Sequence, residues 1–200
     1  MGQTNLPEFF KCDDYFIDEK VGLLKFSNAY KVYNDQGTQI GNIQQTVPLW
    51  HKLLRLFLNK AVFPFTLDIT DMNGVVIASI QRGWTFWFSK IEILDGNGVK
   101  IGGIKHKFKL FKPLFHITDQ FDAVIAQIKG DWKAWNFSIV DSNEKALGSI
   151  NKKWAGFMKE AFTTADKYRV IIEKDCPEDV NKIAIVAGAI TIDMVLKESK

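Results

Sequence analysis

The last stretch of the chain constrains the fold most, because it would be apolar on every side of a helix. Between residues 183 and 192 only Thr191 is polar. A helix without a polar face must be buried in lipid or in protein. Asp179 suits the first turn of a helix and Lys197 suits the last, since these charges complement the backbone dipole. We therefore predict a buried helix over residues 177–197.

This helix is too short to span a bilayer. Only 14 residues separate Lys182 from Lys197, whereas the hydrocarbon core of a bilayer requires about 20. The uncharged run is shorter still, because it ends at Asp193. Its β-branched residues would also suit a buried strand, but its length favours a helix. We therefore expect a shell of protein around it.

A repeat of β-hairpins predicts that shell. A strand, a turn bearing Asp, Asn or Gly, and a second strand reading aliphatic, small, any residue, Ile recur five times. The repeats close at Ile43, Ile80, Ile104, Ile128 and Ile150. Their small residues are Gly41, Ala78, Gly102, Ala126 and Gly148. Small residues in strands mark the close approach of another element. If all five face inward, they leave room for the helix.

Further strands over residues 21–26 and 168–173 bring the number to about twelve. A meander of this length is expected to close, because closure removes exposed edges. A barrel of this size needs a plug. We therefore predict a mainly β fold, a closed antiparallel β-barrel of about twelve strands that encloses the C-terminal helix. The predicted organisation is a single domain over residues 1–200, with an N-terminal lead at 1–20, the barrel at 21–175, a helical insertion at 48–63 and the central helix at 177–197.

The predicted insertion is a basic amphipathic helix. Lys52 and Arg55 lie on its polar face, Trp50 lies among its apolar residues, and no acidic residue occurs from 36 to 67. Such a helix can lie in the headgroup region of a membrane. The alternative is a helix that packs across one mouth of the barrel.

A second stretch with basic character contains Lys105, Lys107 and Lys109. Alternation along a strand would place these three lysines on one face, where anionic headgroups or nucleic acid phosphates could meet them. The alternative is that they are solvated lysines on an exposed barrel wall.

The sequence lacks the patterns of common catalytic sites. His51, His106 and His116 have no partner at metal-ligand spacing, and no nucleophile elbow, P-loop or dinucleotide fingerprint occurs. We therefore do not expect an enzyme. Cys12 and Cys176 lie far apart, and no secretion signal is evident, which favours the cytoplasm. The net charge of +3 is too mild to imply nucleic acid by itself.

From residue 147 onward the sequence resembles the C-terminal part of the phospholipid scramblases, within the superfamily of Tubby-like and LURP-one-related barrels. The positions that carry this resemblance are Gly148, Ile150, Lys152, Trp154, Gly156, Phe157, Glu160, Phe162, Thr163, Ala165, Asp166 and Asp193. The resemblance implies a closed twelve-stranded barrel around the C-terminal helix. It also implies association with membranes and calcium-stimulated movement of lipid between leaflets.

The calcium segment of that family corresponds to residues 164–175. Only Asp166 and Asp175 retain a carboxylate there, Thr164 replaces an expected acid, and Lys167 adds a positive charge. Calcium prefers six to eight oxygens with several carboxylates. We therefore expect no cofactor, with calcium at Asp166 and Asp175 as the alternative.

The sequence thus favours a phospholipid scramblase-like barrel in the cytoplasm, peripheral at the inner face of the membrane, with an anionic phospholipid surface as its partner. The expected contacts are Trp50, Lys52, Arg55, Lys105, Lys107 and Lys109. One alternative is a soluble scaffold that holds a protein partner. A third hypothesis, suggested by roles among barrel relatives, is binding of nucleic acid, which would weaken steeply with salt.

Overall fold

The computed structural model describes residues 6–20, 29–46, 64–83, 90–109, 112–131, 135–152, 167–174, 176 and 179–198. The predicted strand at 21–26 and the predicted helical insertion at 48–63 lie outside the described residues. No helix of the described segments is long and apolar enough to cross a membrane.

Twelve antiparallel strands form one closed barrel, in which each strand pairs with the next along the chain and β12 pairs with β1. The strands are β1 (Asp14–Lys20), β2 (Ala29–Tyr33), β3 (Gln39–Thr46), β4 (Phe65–Thr70), β5 (Val76–Arg82), β6 (Lys90–Asp95), β7 (Lys100–Lys109), β8 (Lys112–Asp119), β9 (Val124–Asp131), β10 (Asn136–Val140), β11 (Ala146–Asn151) and β12 (Lys167–Ile172). The helices are α1 (Glu8–Lys11) and α2 (Asp179–Glu198). The predicted barrel and its C-terminal helix are confirmed.

Helix α2 packs inside the barrel, mainly against β7, β8 and β12. Its residues from Ala184 to Ile192 are buried. The one polar side chain among them, Thr191, donates a hydrogen bond from Oγ1 to the carbonyl oxygen of Ala187 at 2.8 Å. This hydrogen bond to the preceding turn of the helix gives the buried hydroxyl of Thr191 a partner inside the barrel.

The same turn closes five hairpins, which join β2 to β3, β4 to β5, β6 to β7, β8 to β9 and β10 to β11. The first residue of each turn accepts two backbone N–H bonds on its side-chain Oδ1, from the second and fourth residues after it, at 2.8–3.1 Å. These first residues are Asn34, Asp71, Asp95, Asp119 and Asp141. The predicted role of Asp and Asn in fixing the turns is therefore seen in the structure.

A β-bulge follows each turn and explains the aliphatic–small pattern of the repeat. In the β6–β7 hairpin, for example, Ile93 pairs with Gly102 and Leu94 pairs with Lys100, which leaves Ile101 unpaired. The extra residue of each bulge packs on the core, and these residues are Ile40, Ile77, Ile101, Ile125 and Leu147. A bulge bends its strand, so the repeat encodes curvature as well as pairing.

The small residues are buried, but they accommodate more than α2. A Cβ atom on Gly102 would lie 3.2 Å from the Cβ of Ala184 in α2, and only 2.6 Å from the carbonyl oxygen of Thr118 in the adjacent strand. A Cβ atom on Gly41 would meet the carbonyl oxygen of Thr70 at 2.4 Å and the ring of Phe9 at 2.9 Å. The neighbouring strand and α1 therefore impose small residues here as much as the central helix does.

The segment predicted as a lead, residues 1–20, contains part of the barrel. Strand β1 pairs with both β2 and β12 and so closes the barrel. The strand is hard to recognise in the sequence because Asp14 and Asp18 flank its buried residues, Tyr15, Phe16 and Ile17. The carboxylate of Asp14 accepts hydrogen bonds from the guanidinium of Arg169 in β12 at 2.6 and 2.9 Å. Its charge thus stabilises the closing pair of strands.

Candidate functional site

The structure places only part of the predicted lipid contacts. Lys105 lies in the middle of β7, and the backbone of Lys107 and Lys109 continues this strand. The side chains of Lys107 and Lys109 are outside the described part of the chain, as are Trp50, Lys52, Arg55, Asp166 and Asp175 in full. Lys105 is therefore the predicted lipid contact whose side chain the structure describes.

Lys105 lies on the outer wall of the barrel, because its neighbour Ile104 faces the core. It pairs directly across the sheet with Lys90 of β6. Their side chains are 43% and 54% exposed. Like charges in opposite positions of a sheet are unfavourable, so this pair requires nearby negative charge.

Asp122, in the β8–β9 turn, supplies most of that negative charge. Its Oδ1 lies 3.0 Å from Nζ of Lys100 and 3.9 Å from Nζ of Lys105, and its Oδ2 lies 3.7 Å from Nζ of Lys90. Lys105 also donates to the carbonyl oxygen of Asp122 at 3.2 Å. We call Lys90, Lys100 and Lys105 together with Asp122 the lysine cluster.

Hydrogen bonds and neighbouring charges shift the pKa values of Asp122 and Lys90 in the lysine cluster. The hydrogen bond from Lys100, followed by the charges of Lys100, Lys105 and Lys90, holds the pKa of Asp122 below its usual range. Glu92 lies 3.3 Å from Lys90, and its hydrogen bond raises the pKa of Lys90. Lys90 therefore lies between Glu92 and Asp122, whereas Lys100 and Lys105 share Asp122.

Gly103 and Thr118 form the wall beneath the lysine cluster. A Cβ atom on Gly103 would lie 2.9 Å from the carbonyl oxygen of Ile91 and 3.2 Å from Oγ1 of Thr118. Thr118 is fully buried, and its hydroxyl has no hydrogen-bond partner among the described residues. An unsatisfied buried hydroxyl is costly, so Thr118 is a polar group that the fold leaves without a partner among the described residues.

Sequence reasoning missed Lys90, Lys100 and Asp122, although the repeat carries a signal for the last. The fourth residue of every turn has a positive φ angle, and in three turns it is glycine, at φ 78° to 81°. In the other two it is Asp122, at φ 66°, and Glu144, at φ 64°. A non-glycine residue in this region deserves explanation, and both acids form ion pairs with lysines.

The described residues contain no group of three or more His, Cys, Asp or Glu side chains that could hold a metal ion. The other prominent polar contacts are structural. Arg169 pairs with Asp14, and Lys182 of α2 donates to Asp13 at 2.6 Å. The first ion pair joins β1 to β12, and the second joins the residue before β1 to helix α2. These charged side chains therefore stabilise the fold.

Comparison with known proteins gives a consistent family match. The Scramblase family model matches residues 19–199. Human phospholipid scramblase family member 5 is 25% identical over 86% of this chain and 67% of its own length. Human phospholipid scramblase 2 is 29% identical over 63% of this chain, but the match spans only 46% of that protein. The chain thus spans between about half and two thirds of these two relatives.

A solved structure supports the fold alone. A protein of Arabidopsis thaliana, with 10% sequence identity, superposes with a TM-score of 0.52 over 90% of each chain. Identity this low carries no statement about function.

Proposed function

Since this chain belongs to the scramblase family, we propose that it is a phospholipid-binding barrel that associates peripherally with anionic membrane surfaces from the cytoplasmic side. The lysine cluster carries the proposal, because it gathers three lysines around one carboxylate and because the side chains of Lys90 and Lys105 are exposed. We propose further that the protein acts by binding lipid without covalent chemistry, and that binding requires no cofactor.

The ligand chemistry follows from the donors of the lysine cluster. Each ammonium group has three N–H donors and no acceptor. A lipid phosphate or carboxylate can therefore compete with the side chain of Asp122 for Lys100 and Lys105. In the absence of lipid, Asp122 keeps the three lysines together and reduces their repulsion.

The other predicted contacts are not part of the lysine cluster. The backbone of Lys107 and Lys109 continues β7 toward the end of the barrel opposite the five turns. Trp50, Lys52 and Arg55 lie outside the described residues. These five residues are a second candidate for the lipid contact and are tested separately.

Co-sedimentation with vesicles tests the proposal. The purified protein is mixed with phosphatidylcholine vesicles with or without phosphatidylserine, at low and high salt, with calcium or a chelator. We expect binding to the phosphatidylserine vesicles that weakens with salt and persists with the chelator. A calcium requirement would instead identify Asp166 and Asp175 as candidate ligands. Absence of binding under all conditions would contradict the proposal and favour a protein-interaction scaffold.

Charge reversal identifies the contact. Lys100→Glu with Lys105→Glu should lower the affinity for phosphatidylserine vesicles by about a hundredfold or more, since each basic residue near such a surface contributes about 1 kcal/mol. The matched control is Lys31→Glu with Lys167→Glu, because these lysines pair with Asp18 from either side. The control should bind as the unchanged protein does. Loss of binding in Lys52→Glu with Arg55→Glu alone would move the contact to the chain segment that contains these two residues.

A further inference from the structure

Exposed apolar side chains are concentrated on three neighbouring turns. Among the described residues six large apolar side chains are exposed, and all lie in or beside the turns 71–75, 95–99 and 119–123. They are Met72 at 57%, Val75 at 58%, Val76 at 39%, Val99 at 57%, Phe121 at 81% and Val124 at 45%. We call these three turns the apolar turns.

The apolar turns form one continuous surface. Strand β5 pairs with β6 and β7 pairs with β8, so the turns are neighbours at one end of the barrel. A Cβ atom on Gly96 would lie 2.7 Å from the carbonyl oxygen of Val76, which shows that the first two turns touch. Lys100, next to Val99, donates to Asp122, next to Phe121, at 3.0 Å. The second and third turns are thus also joined.

The turn itself does not require these apolar residues. The other two turns at this end, 34–38 and 141–145, have the same side-chain-to-backbone hydrogen bonds but carry polar residues. Phe121 occupies the third position of its turn, where the other four turns have Gln36, Asn73, Asn97 and Asn143. A cluster of exposed apolar side chains with a polar surround indicates an interaction site.

We infer that the apolar turns insert into the interfacial region of a phospholipid bilayer. The inference rests on the proposed function and selects the end of the barrel that faces the membrane. The phenyl ring of Phe121 would enter the boundary between headgroups and acyl chains, together with Val99 and Met72. The lysine cluster lies directly behind Phe121, at the depth where long lysine side chains can reach phosphates while their stems remain in apolar surroundings.

The charges of this end match a bilayer headgroup layer. Asp71, Asp95 and Asp119 stand at the start of the apolar turns, and Lys100 and Lys105 lie close by. A surface that carries both carboxylates and ammonium groups complements headgroups that contain both a phosphate and an ammonium group. Insertion therefore does not depend on anionic lipid, whereas the lysine contribution does.

The turns are held rigid before binding. Oδ1 of Asp119 accepts the N–H groups of Phe121 and Ala123, each at 2.9 Å. Asp71 and Asp95 make the equivalent bonds in their turns. The exposed side chains are therefore presented on ordered backbone, and little conformational entropy is lost from the main chain on insertion.

The test replaces Phe121 by the residue type that the repeat uses elsewhere. Phe121→Asn should lower the affinity for vesicles of phosphatidylcholine and phosphatidylserine by about tenfold, because the variant has no phenyl ring to transfer from water into the bilayer. The matched control combines Phe121→Asn with Asn143→Phe, which keeps the composition but moves the ring to a polar turn. This double variant should remain as weak as the single one. Restored binding would overturn the inference, since any exposed ring would then suffice.

Insertion depth provides an independent readout. Phe121→Trp and Asn143→Trp are compared with the unchanged protein in vesicles that contain brominated acyl chains. Additional quenching only in Phe121→Trp supports insertion. Equal quenching in both variants, or unchanged affinity in Phe121→Asn while Lys100→Glu with Lys105→Glu loses binding, overturns the inference but leaves the proposed function. If the unchanged protein binds no vesicle, both fail. The unchanged protein could instead form concentration-dependent dimers that Phe121→Asn abolishes without a change in vesicle binding. This result would overturn the inference, because the apolar turns would then contact a second copy of the chain and not a bilayer.

Discussion

The same strands line the lumen of the barrel and lead into its apolar turns, yet apolar side chains are buried in the lumen and exposed on the turns. Inside, Ile69, Ile93 and Ile117 are fully buried around the central helix. A few residues along the chain, Val75, Val99 and Phe121 are among the most exposed apolar side chains. Packing dictates the residues of the lumen, so their identity reports on the fold. Packing does not dictate the residues of the apolar turns, so their identity reports on what they contact.

The largest expected effect comes from overfilling the lumen. A Cβ atom on Gly188 of α2 would lie 2.9 Å from Cδ1 of Ile117 and 3.8 Å from Cδ1 of Ile128. Gly188→Leu adds three further carbon atoms beyond this position and should destabilise the protein by about 3 kcal/mol or more, as measured by denaturant unfolding. An unchanged unfolding midpoint would contradict central packing of the helix at this point.

Gly188→Ala is the control for that experiment. Its single methyl group requires only that the end of the Ile117 side chain move by a few tenths of an ångström. Alanine also favours the helix by about 1 kcal/mol relative to glycine. The two terms oppose each other, so the stability of Gly188→Ala should remain within about 1 kcal/mol of the original. Vesicle binding by this variant should be unchanged, which separates the lumen from the apolar turns.

The same contrast explains what could be predicted from the sequence. The hairpins and α2 depend on local patterns, the turn residues and an unbroken apolar run, and these patterns can be read directly. Strand β1 was missed because the charge of Asp14 serves a contact with Arg169, which lies far away along the chain. The lysine cluster was missed because the register of β6 and β7 brings Lys90 and Lys105 together, and strand register is not visible in the sequence. Only the departures of Phe121 and Asp122 from the repeat could have indicated the site.

A smaller effect is expected from removing the carboxylate inside the lysine cluster. Asp122→Asn keeps a residue type that tolerates positive φ, but it frees Lys100 and Lys105 from their internal partner. The affinity for phosphatidylserine vesicles should rise by about fivefold, the contribution of one charge near the surface. Quantitative vesicle binding at low salt measures this change.

Glu144→Gln is the control for Asp122→Asn. Glu144 has the same turn position and a positive φ angle, and it forms an ion pair with Lys129, but it lies on a polar turn. Its affinity for the same vesicles should stay close to that of the unchanged protein. An equal rise in affinity in both variants would mean that the net charge of the protein governs binding. The apolar and polar turns would then not differ in their electrostatic contribution.

The smallest effect concerns the acid that holds an apolar turn in place. The backbone N–H of Val75 is the main cause of a lowered pKa of Asp71, with further bonds from Asn73 and Gly74. Because the pKa is lower in the folded protein than the ordinary value of 3.8, the carboxylate stabilises the fold above that pH. This contribution is lost as the pH falls through 3.8 and then through the folded pKa. Asp71→Asn should lack this share of the pH dependence, since Asn34 makes the same two bonds without a charge. Unfolding midpoints measured in acid and at neutral pH should therefore differ slightly less in the variant than in the unchanged protein. An identical pH dependence in the two proteins would show that the charge of Asp71 adds nothing to the stability of the turn beyond its hydrogen bonds.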